Sequence, residues 1–286
     1  MSYIYVAIAV VLLAFEFACS KKYQALEGTQ MVPGLRFNAL TGLLSALTML
    51  VISGFQPAWS PLSLILAIGQ AACCIAYSLI GFRVLKMGGM ALYSTFLMSG
   101  GMLLPYIFGL LFLDEQPSVL RIIGVLVVLA GVVCTNASED KVSKGLLFLC
   151  AAVFALNGGV SIISKCHQVS TRPTVSTSAF VMYAGVAKCL ISALVLPFTG
   201  KSASQRGFAK KHSLPIIAGG AIIGAASYFL QLIGAANLPA SVLYPMVTGG
   251  SIIFSAIAGV IIFKEQLSRR QIISITLCFI GTLLFL

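Results

Sequence analysis

Two charged side chains fall deep inside apolar stretches of the chain. Glu16 lies within VLLAFEFACS and Lys188 within MYAGVAKCLIS. A charge at the centre of a membrane-spanning helix costs about 2.5–3.5 kcal/mol on insertion scales, so such residues face protein or water and mark pathways. A carboxyl in an apolar cavity holds its proton more tightly than one in water, which lets it trade that proton for a cation near neutral pH. Glu16 is therefore the candidate for proton and substrate coupling. The competing readings make it the structural partner of Lys188, Arg36 or Lys21, or leave it as a carboxylate at the interface. Lys188 suits either an anionic solute or a tethered counter-ion for Glu16. Uncharged polar residues complete the candidate binding set: Asn38, Gln70, Tyr77, Tyr93, Asn157, Tyr183, Tyr228, Gln231 and Tyr244. A group of tyrosines around a central space can stack on a ring or hold a cation by its face, and single ones also anchor helices at the interface. Asn157 precedes Gly158-Gly159, where either a loosened backbone offers carbonyls to a ligand or Asn157 makes an ordinary interhelical hydrogen bond.

Other chemistries find no residues to carry them. The sequence has no GxxxxGK[ST] phosphate loop, no HExxH zinc pair and no GxSxG elbow. It has only seven acidic residues and two histidines. Its eight cysteines show no CxxC or Cys/His spacing, so they read as small apolar packers. No cofactor, no metal and no enzymatic activity are expected.

The elements around these residues must be membrane helices. Apolar types make up 59% of the 286 residues and charged types 9%, against roughly 25% charged in soluble domains. A span needs about 20 apolar residues, and the charge-free blocks accommodate ten helices, at about 3–20, 34–53, 61–82, 88–112, 119–136, 145–165, 175–198, 213–234, 238–262 and 269–286. The breaks at 53–57 and 234–239 carry turn formers, and Pro239 suits the first turn of the helix after it. The first stretch lacks a basic leader and a small-residue cleavage site, so it counts as a span. Arg36, Lys165 and Lys21 sit near helix ends, where snorkelling accounts for them.

Basic residues concentrate in the loops after odd-numbered helices, from Lys21, Lys22 and Arg36 through Arg83 and Lys86 to Lys264, Arg269 and Arg270, while the other face holds Arg121, Lys165 and Arg172. The positive-inside rule then puts the odd loops in the cytoplasm and both termini outside. The net charge of +11 reflects topology and anionic lipid. No loop is long enough to form a nucleic-acid-binding domain. The expected setting is a bacterial inner membrane, the expected partners are lipid, a small solute and protons, and a monomer suffices.

Residues 91–131 align with 241–281 at an offset of 150. Glu115, Gln116 and Ser118 meet Glu265, Gln266 and Ser268, and Gly100, Gly109 and Gly131 meet Gly250, Gly259 and Gly281. At an offset of 151, Tyr77 and Tyr93 meet Tyr228 and Tyr244; at 144, Ser20-Lys21 meets Ser164-Lys165. Each repeat has five helices, so the second copy, 139–286, enters the membrane inverted relative to the first, 1–138. Inverted repeats are the architecture of alternating-access carriers. The glutamates and serines of the repeat motif read as turn and N-cap residues. Phe263-Lys264-Glu265-Gln266-Leu267-Ser268-Arg269-Arg270-Gln271, followed by a helix with Gly281, resembles the FxExLSxxQxxGxxLIxxG pattern of the drug/metabolite transporter superfamily, EamA-like ten-helix branch, with Ser274 where a glycine is usual. That resemblance implies a cavity lined mainly by helices 1–4 and 6–9. It also implies a helix 1 glutamate placed like the single glutamate of small multidrug transporters, and cytoplasmic termini, opposite to the basic-residue count. The sequence thus reads as an all-α membrane carrier, with proton-coupled efflux through Glu16 as one mechanism. The alternative is an uncoupled facilitator or exchanger of a neutral or anionic solute held by Lys188 and tyrosines.

Overall fold

The computed structural model describes residues 2–28, 30–54, 59–116, 118–136, 143–199, 212–264, 266–267 and 269–285. Every regular element among them is helical: α1 (Ser2–Glu27), α2 (Met31–Ile52), α3 (Pro61–Phe112), α4 (Val119–Asn136), α5 (Lys144–Val169), α6 (Thr177–Val195), α7 (Leu214–Asn237), α8 (Ala240–Phe263) and α9 (Arg269–Leu283), with a 3-10 turn at Leu196–Thr199. Seven segments are long and apolar enough to cross a bilayer, while Phe96–Phe112 and Val119–Cys134 are apolar but shorter. This is an integral membrane protein. Serines set several helix starts, because their hydroxyls accept from otherwise orphaned backbone N–H groups. Ser60 caps α3 ahead of Pro61, Ser143 caps α5, and Ser176 caps α6. Glu265 and Ser268 of the repeat motif, and residues 55–57 of the expected break before α3, lie outside the described residues.

The expected loop at 83–87 is helical. The third and fourth expected spans form one unbroken run of 52 residues, α3. Positions twelve apart on a straight helix lie roughly 18 Å from one another, yet the ring of Tyr93 lies against Gly81. The run therefore doubles back. Its first arm runs antiparallel to α5, with Ser63 at His167 and Gly69 at Ile163. Its second arm runs parallel to α5, with Leu97 at Asn157 and Leu104 at Gly158.

Helix pairing is unchanged when the two halves are exchanged, as an inverted ten-span repeat requires. α1 packs on α7 and α8, and its mate α5 packs on the two arms of α3; α2 pairs with its own mate α6, and α4 with α9. Backbone detail follows the same register. Asp114 and Lys264, repeat mates, both adopt the left-handed conformation, at φ 52° and 54°; the N–H groups of Leu113 and Glu115 return to the Gly109 carbonyl and that of Lys264 to the carbonyl of Gly259, the mate of Gly109.

The self-mated pairs cross where glycines meet. A β-carbon at Gly42 would lie 2.7 Å from the Gly185 carbonyl oxygen, and one at Gly185 would lie 2.6 Å from the Gly42 oxygen. Small residues at such crossings let membrane helices approach closely. Because the obstructing atoms are backbone, they cannot swing aside. Gly42→Ala is expected to part α2 from α6 and cost about 1–3 kcal/mol, the usual price of overpacking; thermal unfolding in detergent measures it, and an unchanged midpoint would show the crossing to be looser than described.

Candidate functional site

Seven helices leave a space between them. It is a cavity of about 380 Å3 lined from α1, α2, α3 and α5 to α8, with α4 and α9 contributing nothing among the described residues. Sites of 300–1,000 Å3 suit small organic solutes. Of the residues singled out in the sequence, Glu16, Gln70, Tyr77, Asn157, Lys188, Tyr228, Gln231 and Tyr244 line it. Tyr93, Tyr183 and Asn38 do not. Tyr93 packs with Val84 and Cys150, and Tyr183 packs against the cluster around Met49 and Phe180. Of the five candidate tyrosines, Tyr77, Tyr228 and Tyr244 therefore face the central space.

Glu16 reaches the cavity because of a close helix approach. α1 lies on the Gly220-xxx-Gly224 ridge of α7, with Cys19 over Gly220 and the Glu16 carboxyl over Gly224. A β-carbon at position 224 would lie 2.6 Å from the Glu16 carboxyl carbon, so the glycine gives the acid its seat and a larger residue would push the carboxyl aside. The carboxylate makes no hydrogen bond and no ion pair among the described residues. Lys188, on α6, faces the same cavity and is near enough for its charge to act on Glu16, but the two are not directly paired. In the 144-residue register the mate of Glu16 is Val160, which also lines the cavity, so this acid has no acidic counterpart in the second repeat.

The polar wall is bonded chiefly to itself. Gln70 Nε2 donates to the Tyr228 hydroxyl at 2.6 Å, Tyr228 and Ser164 share a 2.8 Å hydrogen bond, and Ser164 donates to the Val160 carbonyl at 2.7 Å. Tyr244 donates to the Ser161 carbonyl at 2.6 Å. Asn157 donates to the Leu97 carbonyl at 2.7 Å, and α5 runs unbroken through Gly158-Gly159, so the interhelical bond replaces the idea of a loosened backbone. Pro105 inside α3 has no N–H to give, which releases the carbonyl of Gly101 four residues earlier; Gly101 lines the cavity.

At the face opposite the basic loops, the turn between α7 and α8 borders the cavity, since Ala235 and Leu243 on either side of it belong to the lining. Lys165 is buried there at 4% exposure, not snorkelling as expected. Its ammonium donates to the carbonyls of Ala235 at 2.8 Å and Leu238 at 2.6 Å. Glu115 accepts from the backbone N–H groups of Ala240 at 2.6 Å and Ser241 at 2.9 Å. A cation thus closes the C-terminus of α7 and an anion the N-terminus of α8, each matching the local helix dipole. Sequence reasoning placed Glu115 at a turn but missed its partner helix and Lys165. The motif signals a cap, while the capped helix lies more than a hundred residues away. On the same face, Ser63 and His167 share a 3.0 Å hydrogen bond, and the imidazole stacks on Phe180. On the basic face, Lys21 lies over the Phe263 ring at 4.9 Å, and Ser213 donates to Glu27 at 2.6 Å.

The family model of the EamA-like transporter family matches residues 143–286. No curated protein sequence matches the chain. A solved structure titled "Crystal structure of protein" superposes with a TM-score of 0.78 at 18% identity, covering 98% of this chain and 96% of that one. At that identity the likeness speaks for the fold.

Proposed function

The chain belongs to the EamA-like transporter family and is a membrane transporter of small solutes; from this premise we propose that it is a proton-coupled carrier that exports a cationic or amphipathic metabolite by alternating access, with Glu16 as the exchange site. The observation that carries this reading is the Glu16 carboxylate. It is seated on Gly224, open to the central cavity and without a bonding partner in the described protein. An acid so placed has two uses for its charge, a proton or a cationic solute, and binding either excludes the other. Lys188 supplies the complement. When Glu16 takes up a proton, the fixed ammonium becomes the net charge of the cavity and repels a cationic solute. The two repeat units, 1–138 and 139–286, supply two conformations of similar energy, open to opposite sides. Basic-residue bias places the basic face in the cytoplasm and both termini outside, in a bacterial inner membrane.

A ligand-stabilisation screen of the purified protein tests the reading, since a binder raises apparent stability with the logarithm of its concentration over Kd. Across amines, amino acids, nucleobases and sugars, amine-bearing compounds are expected to raise the unfolding temperature. They are also expected to release a proton into weakly buffered solution on binding. Stabilisation by sugars or simple anions alone, with no proton released, would favour the facilitator that uses Lys188.

A further inference from the structure

Apart from the Lys188 ammonium, much of the donor capacity of the cavity wall is used within the protein. Several hydroxyl protons are spent there. Ser45 gives its proton to the Ala221 carbonyl, Ser164 to Val160, Ser251 to Thr248 and Tyr244 to Ser161. With the Ser164 proton committed to Val160, the Tyr228 hydroxyl donates to Ser164 and accepts from the Gln70 amide nitrogen. That chain fixes which way the Gln70 amide points, and its Oε1 is left buried with no partner. Gln70 itself is only 5% exposed. Gln70 Oε1 on this lining therefore lacks a donor, as does the Glu16 carboxylate among the described residues. A buried acceptor without a partner is costly, and a solute that supplies the missing proton recovers that cost on binding.

We infer that the cavity selects solutes bearing a primary or secondary ammonium, with at least two N–H donors, over quaternary ammonium compounds of the same charge and hydrophobic body. The inference rests on the Glu16 reading above and narrows it. Charge alone would not discriminate, because Glu16 attracts either kind of cation. One N–H meets the carboxylate, and a second relieves a wall acceptor. A trimethylammonium head has no N–H for either and leaves the wall acceptor unmet. Sites built to hydrogen-bond a ligand reject analogues lacking the donor far more strongly than apolar pockets reject an extra methyl group.

The test compares phenethylammonium with its N,N,N-trimethyl derivative by calorimetric titration of the purified full-length protein. Wild type is expected to bind the primary ammonium at least tenfold more tightly. Gln70→Leu, which removes the amide acceptor, is expected to narrow the gap to about threefold or less, and Glu16→Gln to weaken both ligands together. Equal or tighter binding of the trimethyl compound, still dependent on Glu16, overturns this inference and leaves the Glu16 reading standing. Binding of both that ignores Glu16→Gln, or of neither, overturns the two together. Should Gln70→Leu fail to fold, the wild-type comparison decides alone.

Discussion

Glu16→Gln is expected to lower affinity for phenethylammonium at least a hundredfold and to abolish the proton released on binding, while leaving the unfolding temperature nearly unchanged. Glutamine has the shape of glutamate, so it fits the same seat over Gly224 and α1 keeps its packing. What disappears is the negative charge, and with it the only carboxylate on the described lining. Lys188 then faces the cavity uncompensated, and a cationic solute meets repulsion where it met attraction. Two unit charges 4 Å apart interact by about 4 kcal/mol at an effective dielectric of 20, so a hundredfold loss is a modest expectation. Calorimetry and a pH indicator in weak buffer measure the two effects. If affinity stays within threefold and a proton is still released, the acid that exchanges is not Glu16.

Lys165→Met is expected to open the cavity toward the face opposite the basic loops. Methionine keeps the apolar stem of the lysine and loses both charge-assisted bonds to the end of α7, each worth about 1.5–3 kcal/mol. Ala235 and Leu238 then lack that donor, and the turn that Glu115 holds from the other side is fastened at one end only. In a background without the eight native cysteines, a single cysteine at Leu243 should react at least tenfold faster with an impermeant maleimide from that side when Lys165→Met is added. Lys165→Arg should restore slow labelling. An unchanged rate in the folded methionine variant would mean that packing of Val6 against Gly234 suffices to hold the turn.

The sequence disclosed what is written locally. Runs of apolar residues between charges mark most helices, and the glycines and glutamates at constant offset anticipate the shared left-handed ends at Asp114 and Lys264. Glu16 and Lys188 stood out because ionised groups are costly in lipid, and both line the cavity. Helix phase was harder to read. Lipid tails are as apolar as leucine, so a membrane helix shows no clear stripe to separate a cavity-facing tyrosine from a packed one. Tyr93 and Tyr183 therefore looked equivalent to Tyr228 until the packing was known. The run through Arg83 and Lys86 looked like a loop because of its charge, yet charge alone does not stop a helix, and the chain turns back here within helical backbone. The burial of Lys165 depends on carbonyls some 70 residues distant, and no local pattern announces them.

Val160 standing where symmetry would put a second acid fixes the stoichiometry of the proposed exchange. One proton moving in for one monovalent cation moving out transfers no net charge, so the membrane voltage does no work on the cycle. The pH difference alone is the driving force, at about 1.4 kcal/mol per unit, and each unit sustains at most a tenfold concentration ratio of the solute.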